Sequence, residues 1–285
     1  MTVPRDNSAK PGITGVNGEV ADDRFVGDRD LTRWKSRFGQ WAASWFHRAA
    51  KRLGPHAALI LILAVGLIVA VALTLLSAHI YDAVTEANDI AALDQPLLSF
   101  AMSLRSPGLD TAMTLYTDIA GTIGMPIIAI VTLLILSIHR RSWTPSILIT
   151  AAGIGSLAMT IAGKDLIGRA RPPLVDAVAP YEYSPSFPSG HTLNAVVIAG
   201  IIAYLLMLRQ TTHRARVLTS TLAISFAFTI GASRVYLGHH WFTDVLVAIT
   251  LGLSWLAIII TAHRLYLTSR QRRTKTLAPP RSRKE

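Results

Sequence analysis

Six stretches of the chain contain no Lys, Arg, Asp or Glu: 57–80, 119–138, 144–163, 192–208, 217–233 and 245–262. Each is about 17–24 residues long, enough to cross a hydrocarbon core of ~30 Å as a helix. The pattern predicts an all-α polytopic membrane protein with six transmembrane helices. Ahead of the first span, Trp34, Phe38, Trp41, Trp45 and Phe46 alternate with Lys and Arg between Leu31 and Leu53. That spacing suits an amphipathic helix on a membrane surface. Residues 1–30 have no hydrophobic period and predict no structure. The segment 81–111 is acidic and broken by Pro96 and Pro107, with apolar positions that fit a short interfacial helix.

Composition agrees with the pattern. Of 285 residues, 51% are hydrophobic and 16% charged, against roughly 25% charged in average soluble chains. There is no Cys, which excludes a disulfide framework, Cys-ligated metal centres and a cysteine nucleophile. The net charge of +11 raises nucleic-acid binding, but its distribution argues otherwise. Residues 1–56 hold ten Lys/Arg and 264–285 hold eight, joined by Arg140, Arg141, Arg209, Arg214 and Arg216 between spans. The alternate loops hold only Arg105, Lys164, Arg169, Arg171 and Arg234. By the positive-inside rule both termini are cytoplasmic and the sparse loops lie outside. The expected partition is a cytoplasmic N-terminal segment over 1–54, a six-helix domain over 55–266 and a basic cytoplasmic tail over 267–285. Membrane lipids are the expected partners, and nucleic acid is not.

The outer loops also carry candidate chemistry. Lys164 closes the third span; Arg169 and Arg171 follow at helical spacing, and Pro172 stops the turn. Arg234 closes the fifth span. Each cation alone is an ordinary headgroup anchor. Together with His191, His239 and His240 they form an inventory suited to phosphate oxygens. Pro188-Ser189-Gly190-His191 precedes the fourth span, where free N–H groups and the helix dipole favour an anion. His240 and Asp244 are four apart, stacked if Trp241–Val247 opens a helix. A carboxylate there can hold one imidazole nitrogen and leave the other free as nucleophile or base. His239 would point elsewhere, toward substrate or an interface.

Lys164-(six residues)-Arg171-Pro172, then Pro188-Ser189-Gly190-His191, then Ser233-Arg234-(five residues)-His240-(three residues)-Asp244 resembles the signature of the type 2 phosphatidic acid phosphatase family. The motifs cover 164–244, and the six-span layout extends the resemblance over about 57–265. The resemblance implies a metal-independent lipid phosphatase with no cofactor and a lipid phosphate substrate. His240 would be the nucleophile, carried as a phosphohistidine and oriented by Asp244. His191 would be the general acid, and then the base that activates water. Lys164, Arg171, Arg234, Ser189 and Gly190 would cradle the phosphate. Phosphoryl transfer needs mainly positioning and charge neutralisation, which three cations can supply.

All these residues lie at the ends assigned to the outer side, so the active site is expected at the extracytoplasmic face of the cell membrane. Polyprenyl (undecaprenyl-type) diphosphate is the first expected substrate, with phosphatidate-type lipids close behind. Two other readings remain open: a phosphotransferase with a non-water acceptor, and a transporter. The transporter reading requires ionisable residues at mid-membrane depth, and the spans hold none.

Overall fold

The computed structural model describes residues 23–84 and 90–277. Apart from a two-stranded hairpin, Phe25–Val26 against Arg29–Asp30, the regular structure is helical. The helices are α1 (Arg37–Leu53), α2 (Pro55–Val84), α3 (Asp94–Ser103), α4 (Pro107–Asp118), α5 (Gly124–Arg140) and α6 (Thr144–Ile167). After a long loop come α7 (Gly190–Arg209, with a widened turn at Ala195–Ala199), α8 (His213–Tyr236) and α9 (Phe242–Leu277). Five of these, α2, α6, α7, α8 and α9, are long and apolar enough to cross a membrane.

The span expected at 119–138 is instead the shorter apolar helix α5 of 17 residues. Its start is delayed by a turn through Gly121 and Gly124. A Cβ at Gly124, the first residue of α5, would lie 2.4 Å from the Asp118 carbonyl oxygen, so this tight corner takes glycine. The interfacial helix expected in 81–111 is two helices, α3 and α4, the second starting on Pro107 and running past that range to Asp118. Residues 85–89 of that segment lie outside the described residues.

Large apolar side chains face outward along the bundle, among them Ile127, Ile130 and Leu134 on α5, Leu157 on α6 and Phe228 on α8. Such a belt is tolerable in lipid, where helices satisfy their own backbone groups. Inside, close approach depends on small residues. A Cβ on Gly155 of α6 would fall 2.1 Å from Trp255 Nε1 of α9. Trp255 is thereby buried, and its indole N–H donates to the Ala151 carbonyl at 3.2 Å.

The bundle has two distinct ends. At one, the N-terminal hairpin docks through Asp23, which is buried and ion-paired to Arg209 (2.7 Å) and Arg140 (3.5 Å). Residues 23–30 are therefore ordered, contrary to expectation, because a buried carboxylate bridges two helix ends that local pattern cannot link. Residues 1–22 lie outside the described residues. Helix α1 buries Ala43, Phe46 and Ala50 and leaves Phe38, Trp41 and Trp45 exposed. Its Ser36 cap accepts the Gly39 N–H at 3.1 Å.

Helix α9 continues through the expected boundary at 266 as far as Leu277. The reason is contact with the N-terminal segment. Trp34 Nε1 donates to Thr268 Oγ1 at 3.0 Å, and the Arg264 guanidinium lies 4.3 Å from the Trp34 ring centroid. Residues 278–285 lie outside the described residues. At the other end, the C-termini of α6 and α8 meet the N-termini of α7 and α9.

Candidate active site

Helix α6 stops at Gly168, whose φ of 57° is left-handed and whose N–H returns to the Lys164 carbonyl at 3.2 Å. Such a cap is a glycine position. Arg169 and Arg171 consequently lie beyond the helix, not on it as their spacing suggested. They diverge: Arg169 turns toward Asp94 and Asp244, and Arg171 toward Glu182 and His240. Lys164, still on the last turn, donates to Ser184 Oγ (2.7 Å) and the Pro185 carbonyl (2.8 Å).

Helix α8 ends in a second left-handed glycine, Gly238 (φ 69°), where a Cβ would sit 2.3 Å from the Asp176 carbonyl oxygen. The chain then folds back so that the N–H groups of His239 and His240 both reach the Arg234 carbonyl, at 3.1 and 3.3 Å. This turn sets the buried His240 ring beside the Arg171 guanidinium, with Nε2 at 3.4 Å from Nη1. On the other edge of the ring, Nδ1 is 3.6 Å from Asp244 Oδ2 and 3.4 Å from Ser186 Oγ. Helix α9 starts only at Phe242, so His240 and Asp244 are not stacked on one helix. They meet because Asp244 folds back to accept the Trp241 N–H at 3.0 Å.

Asp244 is held from several directions. Ser186 donates to Oδ2 and Arg169 to Oδ1. Arg169 is itself anchored by Asp94 at 2.7 Å. Asp94 also accepts the Thr243 N–H (2.9 Å) and hydroxyl (2.7 Å) at the start of α9. Asp94 and Ser186 were not singled out as site residues, and Arg169 was expected to face phosphate and not Asp244. Their contacts cross 58 to 149 positions of sequence, so no local pattern signals them.

Around His240 lies a group of cations. Arg234 is fully buried, donates to Glu182 Oε1, and approaches Thr117 Oγ1 at 3.5 Å. Its Nε has no hydrogen-bond partner among the described residues. Arg171 reaches the second carboxylate oxygen, Glu182 Oε2, at 2.7 Å. Burial pushes the Glu182 carboxyl up, but Arg234 and Arg171 more than reverse this and hold it well below the usual carboxylate range. Burial pulls the His240 imidazole down to about 4, a shift that contact with Asp244 opposes. The ring is therefore neutral at ordinary pH. His239 is likewise lowered, by burial and then by Arg234. Its Nε2 meets the Val178 carbonyl at 2.7 Å, and its Nδ1 lies 3.7 Å from Glu182.

His191, on the first turn of α7, is half-buried at the same end. A Cβ on Gly121 would stand 3.1 Å from His191 Nε2, so Gly121 makes room for the imidazole. Gly190 opens α7 beside Thr160. Ser189 is buried with its hydroxyl turned to Thr192 Oγ1 at 2.9 Å, so the cation group is formed without it here. Among the described residues, no three His, Asp or Glu side chains gather as a metal ion would require.

A buried, neutral imidazole backed by a carboxylate and fronted by guanidinium groups can attack an electrophile that carries negative oxygens. Residues 142–266 match the PAP2 superfamily. Phosphatidylglycerophosphatase B of Bacillus subtilis (strain 168) is 32% identical over 176 residues, which cover 61% of this chain and 85% of that protein. The crystal structure of a transmembrane PAP2-type phosphatidylglycerolphosphate phosphatase from Bacillus subtilis superposes with a TM-score of 0.59. It shares 25% identity and covers 74% of this chain and 98% of that one. The chain belongs to the PAP2 superfamily and is a membrane lipid phosphatase of that metal-independent family.

Proposed function

We propose that the protein hydrolyses lipid phosphate headgroups through a phosphohistidine on His240 Nε2. The observation that carries this is the two-sided environment of one ring. Nδ1 faces Asp244 and Ser186, and Nε2 faces Arg171. With Nδ1 protonated toward the carboxylate, the Nε2 lone pair points at the cations and is free to attack phosphorus. Lys164, Arg171 and Arg234 neutralise the equatorial oxygens, as a loose transition state requires. The buried Nε of Arg234 offers one more donor to them. His191 protonates the leaving oxygen, then takes a proton from the water that cleaves the phosphohistidine. Gly190 contributes its N–H and Ser189 steadies the turn that presents it.

We further propose six spans, counting α5, with both termini cytoplasmic and the site at the extracytoplasmic face of the cell membrane. The charge asymmetry of the loops supports this orientation. A lipid can then present its headgroup at the bundle end while its tail stays in the bilayer. Among lipid phosphates, phosphatidylglycerol phosphate takes first place, because both relatives above are named for it. Polyprenyl diphosphate stands second, since three cations suit its greater charge.

Purified protein in detergent should release phosphate from phosphatidylglycerol phosphate faster than from phosphatidate or polyprenyl diphosphate. Preference for the diphosphate would reverse the order of substrates, and release from none would overturn the reading. The face is tested separately. Tyr183 is 82% exposed beside the site, and the chain has no Cys of its own. A Tyr183→Cys protein should react with an impermeant maleimide in intact cells, and a Thr212→Cys protein should not. The reverse pattern would invert the topology.

A further inference from the structure

The cation group is not open. Most of its donors are taken by three residues of the loop between α6 and α7, Glu182, Ser184 and Pro185. Glu182 spans Arg234 with Oε1 and Arg171 with Oε2. Ser184 and Pro185 take the Lys164 ammonium. Arg171 also donates to the Ser184 carbonyl at 2.6 Å, so the segment is held by polar contacts with the cations, while Tyr181 and Tyr183 on either side of Glu182 are exposed.

We propose that Glu182 is a specificity-determining residue: its carboxylate competes for the phosphate cradle, excluding singly charged phosphodiester headgroups and yielding to phosphomonoester or diphosphate groups. This rests on the reading that Arg171 and Arg234 bind the substrate phosphate. A carboxylate and a phosphodiester each present two oxygens and one negative charge. A phosphodiester that displaces Glu182 therefore gains no charge, and it competes with a group tethered at high local concentration. A phosphomonoester brings a second charge and a third terminal oxygen. The third oxygen has a donor waiting, since Arg234 Nε has no partner among the described residues. The arginines keep Glu182 ionised, so it cannot share the cradle with a phosphate by taking up a proton. It has to leave, and the exposed loop allows that. Phosphodiester lipids make up the bulk of a phospholipid membrane, so an enzyme working at its surface benefits from a cradle they do not fill.

The test uses the full chain in mixed micelles, comparing the parent with Glu182→Gln and Glu182→Asp. Phosphatidate is the substrate, phosphatidylglycerol the phosphodiester competitor, and orthovanadate the binding control. In Glu182→Gln the Ki of phosphatidylglycerol should fall by about tenfold or more, while the KM for phosphatidate falls by only about two- to threefold. Glu182→Asp should stay close to the parent. An unchanged ratio of the two constants would overturn the proposal. So would loss of phosphatidate turnover in Glu182→Gln with the phosphodiester Ki unmoved, which would make Glu182 a support for the arginines. Retained orthovanadate binding shows that the variant is folded. If orthovanadate fails to bind even the parent, the phosphate cradle itself is wrong, and the fault lies with the function proposed above.

Discussion

Asp94→Asn separates charge from shape in the network behind His240, the proposed nucleophile. Asp94 is buried, 2.7 Å from an Arg169 nitrogen, and caps α9 through the Thr243 N–H at 2.9 Å. An asparagine oxygen still accepts that N–H, and Asn caps helices about as well as Asp. The ion pair is lost, and with it the bond from the Thr243 hydroxyl, because the amide NH2 then stands where the second carboxylate oxygen was. Removing one partner of a buried pair costs about 3–5 kcal/mol. Arg169 keeps its second carboxylate, Asp244, so the lower end of that range applies, about 3 kcal/mol in stability. The effect on rate arises because the full Arg169 charge then falls on Asp244 and draws it from His240. If about half the lost energy is expressed in the transition state, kcat falls roughly 10-fold, and if all of it is, roughly 100-fold. KM should stay within about twofold, because Asp94 contacts Arg169 and Thr243 and not the phosphate-facing Lys164, Arg171 or Arg234. Steady-state kinetics on a dispersed lipid phosphate, run beside thermal unfolding, separates the terms. A raised KM with intact kcat, or lost stability with intact kcat, would refute the positioning argument.

Burial pulls the His240 pKa down to about 4, and protonation would remove the lone pair of the proposed nucleophile, so acid should stop turnover at this ring only well below an ordinary histidine's midpoint of about 6.5. Histidine NMR, assigned with His240→Gln, should show a neutral ring at about pH 5.5; a midpoint near 6.5 contradicts it. Turnover should persist in excess EDTA, because side-chain cations neutralise the phosphate; loss with rescue by Mg²⁺ would contradict this. Gly121→Ala places a Cβ 3.1 Å from His191 Nε2 and should lower kcat about tenfold with little change in KM, as expected of a displaced proton donor. Unchanged kcat would mean that His191 has room to spare.

Five of the six spans, and the gathering of the motif residues at one end of the bundle, were legible because each rests on a local pattern. Uncharged runs mark helices in lipid, and Lys164, Arg171, His191, Arg234, His240 and Asp244 stand at helix ends where ionisable groups need a reason to be. Geometry between them was less legible. Gly168 ends α6 before Arg169, so helical spacing gave the wrong direction for the two arginines. The start of α9 at Phe242 made the His240–Asp244 contact a capping turn and not a stacked pair. Asp94, Ser186 and Glu182 enter the site only through the tertiary fold, and one acidic loop residue looks like any other until the arginines are brought to it. The hairpin at 25–30 escaped notice for the same reason, since its anchor is Asp23 between two helix ends.

The central claim is that phosphate passes through His240, and trapping that intermediate tests it most directly. A lipid labelled with ³²P in its terminal phosphate is mixed with enzyme, quenched within milliseconds and analysed for acid-labile, base-stable label on protein. The parent should show a transient signal. His191→Ala, slow to activate water, should accumulate it, most clearly with a diphosphate lipid whose leaving group needs no proton. His240→Ala should show none and should lose turnover. Label on His240→Ala, or turnover by that variant at the parent's rate, would contradict the account.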